Sequence, residues 1–349
     1  MIFEIYTIHD KEEWKEKISL FSDDQLDIYY LPDYYQTWIK EEKAEPICVY
    51  CEVNGSKFLY PFFKKEIKNY NLNDIYYDIF SAYGYGGVVS DLKNKDDIGI
   101  FNTKFNEWCK QNNVIAEFIR ENPSINTKEE FVRDANYTKV RKNIYLKATN
   151  NYIVPSKSRR TYIKLAIKNN LIVSVDKNLQ TIDKFINLYN ITADRLSMSK
   201  SYLFSQEYFF NHIKYFRENT TIINILHGEI IIASALLYYG FGKTVYHLGA
   251  SDFIYKKLYP NELLIASMIE ESKKLNNSIL GLGGGTTNES DDSLFKYKSR
   301  FGNDFRDVYI GKKIHDENIY KALCEQWVER FPDVTEKYKN IFLKYKFLK

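Results

Sequence analysis

Apolar and polar positions follow helical and strand periods along the chain, and the same order of patterns occurs twice. In each half, two helices precede a hairpin, which is followed by a strand, a loop, a helix and another strand. In the first half we predict helices at about 10–21 and 33–42, hairpin strands ICVYCEV and KFLYPFF, a strand at 75–80, a helix at about 95–112 and a strand at 114–119. In the second half we predict helices at 179–197 and 205–218, hairpin strands TIINIL and IIIASALLYY, a strand at 244–250, a helix at 261–276 and a strand at 278–283.

This repeated order predicts an α/β (α+β) protein of two domains, each with a mixed sheet flanked by helices. The chain has 349 residues, which is enough for two separate cores. We expect one domain over 1–150 and a second over 151–315. We expect helices in the C-terminal segment 316–349, and packing against the first domain is one option for them. The order of elements is similar to that of the GNAT acyltransferase fold, so we predict two tandem GNAT-like domains; two unrelated α/β domains are the alternative.

Composition and cysteine positions narrow the classes of function. The formal charge of +3 is too small to indicate a DNA-binding protein. Cys48 and Cys51 form a CxxC within a strand pattern, which directs the two thiols to opposite faces. A zinc site needs further ligands, and the sequence has neither a second cysteine pair nor a histidine near this CxxC. We therefore predict free thiols and no metal site.

The N-terminus and the apolar stretches bear on location. Glu4, Asp10 and Lys11 interrupt the apolar run that a signal peptide needs. The longest apolar stretch, 230–241, is too short to span a bilayer. We expect a cytoplasmic protein, and a peripheral contact with a membrane surface remains open.

A basic segment joins the two halves. Residues 139–170 contain nine Lys or Arg and no Asp or Glu. The predicted helix 156–170 aligns Lys157, Arg160, Lys164 and Lys168 on one stripe, where like charges repel one another. The stripe is either a solvated helix face or the lining of a cleft for the phosphates of a nucleotide-sugar, a CoA or an RNA.

Four motifs in sequence order carry a resemblance to a known family. They are SAYGYGG at 81–87, SKSRRTYIK at 156–164, YHLGAS at 246–251 with PNELL at 260–264, and LGGG at 282–285 with LFKYKSRFG at 294–302. Together they resemble the FemAB/FemX group of tandem GNAT-type transferases and the related BioF2-like acyltransferases over about residues 25–315.

The resemblance implies transfer of an acyl or aminoacyl group to an amine of a cell-envelope glycan or nucleotide-sugar intermediate, in a site between the domains. It implies no tightly bound cofactor, with acyl-CoA or aminoacyl-tRNA as co-substrate. We favour acyl-CoA, because the long helical arm of the larger peptidoglycan-bridge enzymes is missing from this sequence. An aminoacyl-tRNA-dependent bridge reaction of the FemX type is the first alternative, and a non-catalytic relative that binds glycan or nucleotide-sugar is the second.

Lys298 is the candidate catalytic residue. In a helix over 291–301 it shares an arc with Leu294, Phe295 and Phe301, so its ammonium needs an anionic partner or must reach out to water. The FKxxFG pattern of the family also falls on Lys298, with Tyr297 in place of Phe, which implies contact with phosphate or the reacting carbonyl. The alternative is a salt bridge to Asp291 or Asp292. Gly283 to Gly285 are not a P-loop, because a P-loop lysine directly follows its last glycine.

Six further residues are candidates for substrate binding. Tyr83 and Tyr85 alternate with glycines in a loop and offer hydroxyls and flat rings. Arg160 matches an arginine that the family has at the start of this helix and suits a diphosphate. The others are Lys164 on the basic stripe and Tyr246 and Asn261 in the third motif. His247 is expected to be structural, and the base stays open among Asp252, a water and the substrate itself.

Overall fold

The computed structural model describes residues 1–125, 131–289 and 291–347. The chain forms two compact units. The first contains Met1–Gln25, Glu42–Lys139 and Tyr309–Lys349, and the second contains Leu26–Glu41 and Val140–Val308. This division differs from the predicted ranges 1–150 and 151–315, because each unit takes a segment from the other half of the sequence.

The secondary structure follows the predicted order closely. The strands are β1 Ile2–Thr7, β2 Glu45–Val53, β3 Ser56–Glu66, β4 Tyr77–Phe80, β5 Val89–Asp91, β6 Val114–Arg120, β7 Asn136–Lys147, β8 Leu171–Asp176, β9 Thr220–His227, β10 Ile230–Gly240, β11 Lys243–Ser251, β12 Ile279–Gly283 and β13 Asp304–Ile314. The α-helices are α1 Lys11–Ile18, α2 Pro32–Glu42, α3 Asp97–Gln111, α4 Lys157–Lys168, α5 Ile182–Leu196, α6 Gln206–Tyr215, α7 Pro260–Lys274, α8 Ser293–Lys298, α9 Glu317–Arg330 and α10 Thr335–Tyr338. In the described part of the chain, no helix is both long and apolar enough to cross a membrane.

The sheet of the first unit has the order β1-β2-β3-β4-β6-β13, with β5 beside β3. Its neighbours are antiparallel except for β4 and β6, which run parallel with α3 in the connection between them. Asn54 and Gly55 have φ of 50° and 84° at the β2–β3 turn, which is the backbone that this pair favours. The core lies between the sheet and α3, where the Phe58 and Phe101 rings stack with centroids 4.8 Å apart.

The sheet of the second unit has the order β7-β12-β11-β10-β9-β8. It also contains one parallel pair, β11 with β12, with α7 in the connection between them. Helix α7 packs against β9, β10 and β11, and α4 packs against α7. An aliphatic cluster of this unit lies there, with Ile223, Leu237 and Met268 fully buried. The fold class predicted from the sequence is confirmed.

Helix α2 belongs to the second unit, although we expected it in the first domain. Its aromatic face explains this placement. Tyr34 makes edge contacts with Phe216 and Tyr238 at centroid distances of 5.6 and 5.8 Å. Trp38 packs on Tyr208 at 4.5 Å. The apolar period of α2 shows that it has a buried face, but periodicity contains no information about which core covers that face.

The C-terminal segment belongs to the first unit and is fixed by hydrogen bonds to its backbone. Tyr70 donates to the Tyr345 carbonyl at 2.6 Å, and the Trp327 indole donates to the Phe347 carbonyl at 3.0 Å. The Tyr345 side chain reaches the fully buried Asp78 and donates to its carboxylate at 2.8 Å. Burial raises the pKa of Asp78, and the positive charge of Lys346 opposes the rise. The tail therefore supplies both partners that this buried carboxylate requires.

Two histidines form a buried hydrogen-bonded chain in the second unit. The Tyr208 hydroxyl is 2.6 Å from His247 Nε2 and 3.1 Å from the Tyr238 hydroxyl, which is 2.6 Å from His212 Nε2. Burial lowers the pKa of His212 from 6.5 to about 4. Burial and the neighbouring His212 place the pKa of His247 well below its ordinary value. Both imidazoles are therefore neutral in the folded protein at neutral pH.

We expect the stability of the second unit to fall as the pH is lowered from 6.5 towards 4. In this range the histidine binds a proton in the unfolded chain and does not in the folded one, so each step to lower pH favours unfolding. For His212 alone the loss at pH 5 is about 2 kcal/mol. Urea unfolding at pH 7.5 and pH 5 measures it. His212→Gln should reduce the pH dependence and His9→Gln, at an exposed histidine, should not. An unchanged dependence in His212→Gln would contradict the assignment.

Candidate functional site

The candidate site lies where the two parallel strands of the second unit separate. Strand β11 pairs with β12 from Lys243↔Ile279 to Val245↔Gly281. From Tyr246 onward, the described strand pairs of β11 are with β10 alone, and the register skips His247 in a bulge. Strand β12 continues along β7, with a second bulge between Gly281 and Gly283. Separation of parallel strands at their carboxyl ends is the usual position for a ligand site in such sheets.

A glycine turn and one aspartate bring the next helix back to this opening. Gly283 has a φ of 73°, which turns the chain at the end of β12. A Cβ at Gly285 would overlap the Asp292 carboxylate, so this position needs glycine. Asp292 accepts hydrogen bonds from the backbone of Thr286 and from Phe295 N at 3.0 and 2.7 Å, and the second of these caps α8. The glycines thus shape the loop that positions α8.

Asp292 stays ionised under all ordinary conditions. Burial raises the pKa of its carboxyl group, but hydrogen bonds from Thr286, Phe295 and Thr287 outweigh burial and hold the pKa well below its usual range. Its oxygens are committed to the loop and to the helix cap, so it acts as a structural anion. The alternative predicted for Lys298, a direct salt bridge to Asp291 or Asp292, is not among the described ion pairs.

Lys298 is half-buried at the end of α8. Its ammonium donates to the Gly284 carbonyl at 3.2 Å and lies 5.3 Å from the centre of the Tyr246 ring. Burial, and to a lesser extent the positive charge of Arg141, lower the pKa of Lys298 to about 8, and the negative charge of Asp292 opposes both. A lysine of this kind is largely protonated at neutral pH and can donate to an anionic oxygen, and above pH 8 it can accept a proton.

Tyr246 forms the other side of the opening. Its side chain runs along β11 over Gly249, where a Cβ would overlap the Tyr246 ring. Burial raises the pKa of the Tyr246 hydroxyl to about 12, so it remains a neutral donor. Tyr246 packs against the aliphatic cluster around α7, together with Phe295 and Tyr297 of α8. Lys298 and Tyr246, which the sequence placed in separate motifs, are therefore neighbours.

An ion pair that we did not predict supports α8. Arg159 of α4 pairs with Glu262 of α7, and their side chains are only 11% and 10% exposed. The Arg159 guanidinium lies over the rings of Tyr297 and Tyr162 at 4.9 and 5.4 Å. The Tyr297 hydroxyl is buried and has no hydrogen-bond partner among the described residues. Burial, with the negative charge of Glu262, raises the pKa of Tyr297 well above its ordinary value.

Arg160 and Lys164 lie elsewhere on α4. Arg160 donates to the carbonyls of Val154 and Pro155 at 2.6 and 2.8 Å, which ties it to the segment before the helix. Lys164, like Lys157 and Lys168 of the predicted stripe, is exposed. The described contacts of these residues do not reach Lys298. Whether they bind substrate remains a prediction.

Asn261 and Asp252 flank the end of β11. Asn261 is exposed and donates to the Ser251 hydroxyl at 3.2 Å. Asp252 accepts from Ile254 N at 2.9 Å and so caps the short turn that follows the strand. Tyr83 and Tyr85 belong to the first unit, where Tyr83 is half-buried and Tyr85 is 8% exposed.

Sequence signals for the residues that we missed were present but ambiguous. Arg159 precedes Tyr162, Ile163 and Ala166 at helical spacing, so it falls on the apolar face of α4. The prediction instead placed the functional face of α4 on the stripe of four basic residues. Asp292 stands before an apolar helical run, which is a helix-start signal. The three residues that donate to its carboxylate, Thr286, Thr287 and Phe295, do not form a recognisable sequence motif with it.

We expect the Arg159–Glu262 pair to be strongly coupled. Glu262→Gln leaves a buried guanidinium without its counter-charge and should cost about 3 kcal/mol of unfolding free energy. Arg159→Met should cost a similar amount, and the double variant Arg159→Met/Glu262→Gln less than the sum. Denaturant unfolding of the three variants gives the coupling energy. Glu325→Gln, at an exposed pair with Lys321, should change little; additive costs at Arg159 and Glu262 would contradict the coupling.

The chain was compared with family models and with known proteins. No family model matches the chain. UDP-N-acetylmuramoylpentapeptide-lysine N(6)-alanyltransferase of Weissella viridescens is 24% identical over 175 residues. The match covers 50% of this chain and 51% of the relative, so it extends over about half the length of that protein.

Solved structures share the fold over nearly the whole chain. FemX superposes with a TM-score of 0.66 and 15% identity, covering 92% of this chain and 99% of FemX. The C-terminal domain of a putative lysylphosphatidylglycerol synthetase from Agrobacterium fabrum has a TM-score of 0.56 and 10% identity, covering 93% and 96%. L-PGS from Bacillus licheniformis has a TM-score of 0.55 and 12% identity, covering 90% and 95%. The chain therefore has the fold of FemX, and half of it is similar in sequence to the Weissella viridescens alanyltransferase, in agreement with the resemblance carried by the four sequence motifs.

Proposed function

We propose that the protein is an aminoacyltransferase that moves an aminoacyl group from aminoacyl-tRNA to a primary amine on the peptide of a UDP-N-acetylmuramoyl-pentapeptide. The observation that carries the proposal is Lys298, a half-buried ammonium where β11 and β12 separate, in a chain similar to an alanyltransferase for such a precursor. This donor replaces acyl-CoA, which we favoured from the sequence.

The N-terminus of α7 supports the change of donor. A helix N-terminus that follows a separating strand suits the diphosphate of a CoA, because its amides and dipole favour negative charge. Here Glu262 stands in the first turn of α7, is buried and pairs with Arg159. A carboxylate of the protein thus already occupies the favourable end of the helix, and a diphosphate placed beside it would be repelled.

The proposed reaction is direct aminolysis of an ester. The neutral acceptor nitrogen attacks the ester carbonyl carbon, a C–N bond forms, and the carbonyl oxygen becomes anionic. The Lys298 ammonium donates to this oxygen. The C–O bond to the ribose then breaks, the ribose oxygen takes up a proton, and the nitrogen loses one to leave a neutral amide. The acceptor amine must be neutral before it attacks, which an ordinary lysine amine achieves only in small fraction at pH 7.

We expect Lys298→Met to lower kcat by about 10²- to 10³-fold, the effect of removing one oxyanion donor. Lys296→Met, on the exposed side of the same helix, should leave kcat unchanged. The wild-type rate should rise with pH as the acceptor amine becomes neutral, and with the pKa of Lys298 at about 8 this rise should level off above that pH as the ammonium is lost. Lys298→Arg keeps its charge at these pH values, so its rate should go on rising to a higher pH. Full activity in Lys298→Met would contradict the assignment.

The donor is tested with a pool of charged tRNA and a pool of acyl-CoA, each labelled on the acyl group. The acceptor is a lysine-containing UDP-N-acetylmuramoyl-pentapeptide, and the same precursor with acetylated lysine is the control. We expect label to pass from tRNA to the free amine and not to the acetylated one. Transfer from acyl-CoA alone would contradict the donor, and tight precursor binding without transfer would favour a non-catalytic binding protein.

A further inference from the structure

A short turn after β11 exposes two apolar side chains that the candidate site does not use. It spans Phe253–Leu258 and follows the last residues of the strand directly. Phe253 is 50% exposed and Ile254 is 83% exposed. Leu196, at the end of α5, is 53% exposed and follows Arg195, whose guanidinium lies 5.1 Å from the Phe253 ring centre. We call Leu196, Phe253 and Ile254 the apolar tip.

The tip is held outward by a rigid base. Asp252 N donates to the Ile232 carbonyl at 2.9 Å, and its side chain caps Ile254 N. Ser251 N donates to the Thr192 hydroxyl of α5 at 3.1 Å, which fixes the strand end against that helix. On the inner side of the turn, Tyr255 and Leu258 pack against the aliphatic cluster of the second unit. The exposure of Phe253 and Ile254 is therefore a consequence of ordered contacts.

Basic residues lie beside the tip. The Lys256 ammonium lies 3.7 Å from the Phe253 ring centre, and Lys257 next to it in sequence is exposed. With Arg195 they provide three cations, and Asp194 is an exposed acidic neighbour on α5. Exposed aromatic and aliphatic side chains next to several cations are the composition of a surface that enters the headgroup region of an anionic bilayer.

We propose that the apolar tip and its cations bind the surface of an anionic phospholipid membrane, with Phe253 and Ile254 inserted among the headgroups. RNA fits this surface less well, because two cations already contact the Phe253 ring and Ile254 offers no face for base stacking. The surface goes beyond the proposed aminoacyl transfer and would bring the second unit to the membrane.

Vesicle sedimentation tests the proposal with the full chain. Vesicles rich in phosphatidylglycerol should bind the protein, and vesicles of phosphatidylcholine alone should bind it at least about fivefold more weakly for each cation engaged. Phe253→Ser/Ile254→Ser should lower binding to the anionic vesicles about tenfold or more. The matched control Ile172→Ser/Ile230→Ser removes apolar side chains that are each 56% exposed on β8 and β10 and should bind as the wild type does.

Charge is tested separately with Lys256→Gln/Lys257→Gln, which should weaken binding to anionic vesicles, against Lys110→Gln/Lys184→Gln, which should not. Equal binding by the wild type and the Phe253→Ser/Ile254→Ser variant would overturn the proposal. So would a loss of tRNA binding in that variant with vesicle binding unchanged. The assay needs no catalytic turnover, so its outcome is independent of the transferase activity, and the tip variant should retain wild-type transfer to a soluble acceptor.

Discussion

The end of the parallel pairing between β11 and β12, after Val245 and Gly281, is the constraint on which the candidate site depends. Two neighbouring strands that separate must find other partners for their backbone groups, because buried unpaired amides and carbonyls are costly. Strand β11 keeps its ladder with β10, and β12 moves to β7. The positive φ of Gly283 then turns the chain into the loop that returns as α8. These strand pairings and the turn at Gly283 together determine the position of Lys298.

The first unit has the same sheet order but closes the corresponding position. After β4, Ser81 N donates to the Phe118 carbonyl at 3.0 Å and Gly86 N donates to the Arg120 carbonyl at 2.8 Å. The loop that contains Tyr83 and Tyr85 therefore continues the ladder along β6, where the second unit opens. The repeated architecture thus places the opening, with its basic residue, in one unit, and gives the other unit a tyrosine-containing loop.

Much of the fold and part of the candidate site could be predicted from periodicity and motif order. The hairpins, the helices α3, α5 and α7, and the location of Lys298 on the less exposed side of α8 follow from local pattern. Two features do not. The assignment of α2 to the second unit depends on Trp38 and Tyr34 meeting aromatic rings distant in sequence. Whether Arg159 or Arg160 faces the core depends on the rotation of α4 about its axis. The stripe of basic residues that includes Arg160 did not indicate that Arg159 is the buried one.

The electrostatic design of the opening argues for an anionic ligand atom at Lys298. A half-buried ammonium loses hydration, and here its described hydrogen bond is to a neutral carbonyl, that of Gly284. Arg141 adds positive charge nearby, while the closest carboxylate, Asp292, is committed to the loop and the cap of α8. Burial and this deficit of negative charge together lower the pKa of Lys298. An oxygen that becomes anionic during acyl transfer would relieve the deficit more in the transition state than in the ground state, and that difference is what lowers a barrier.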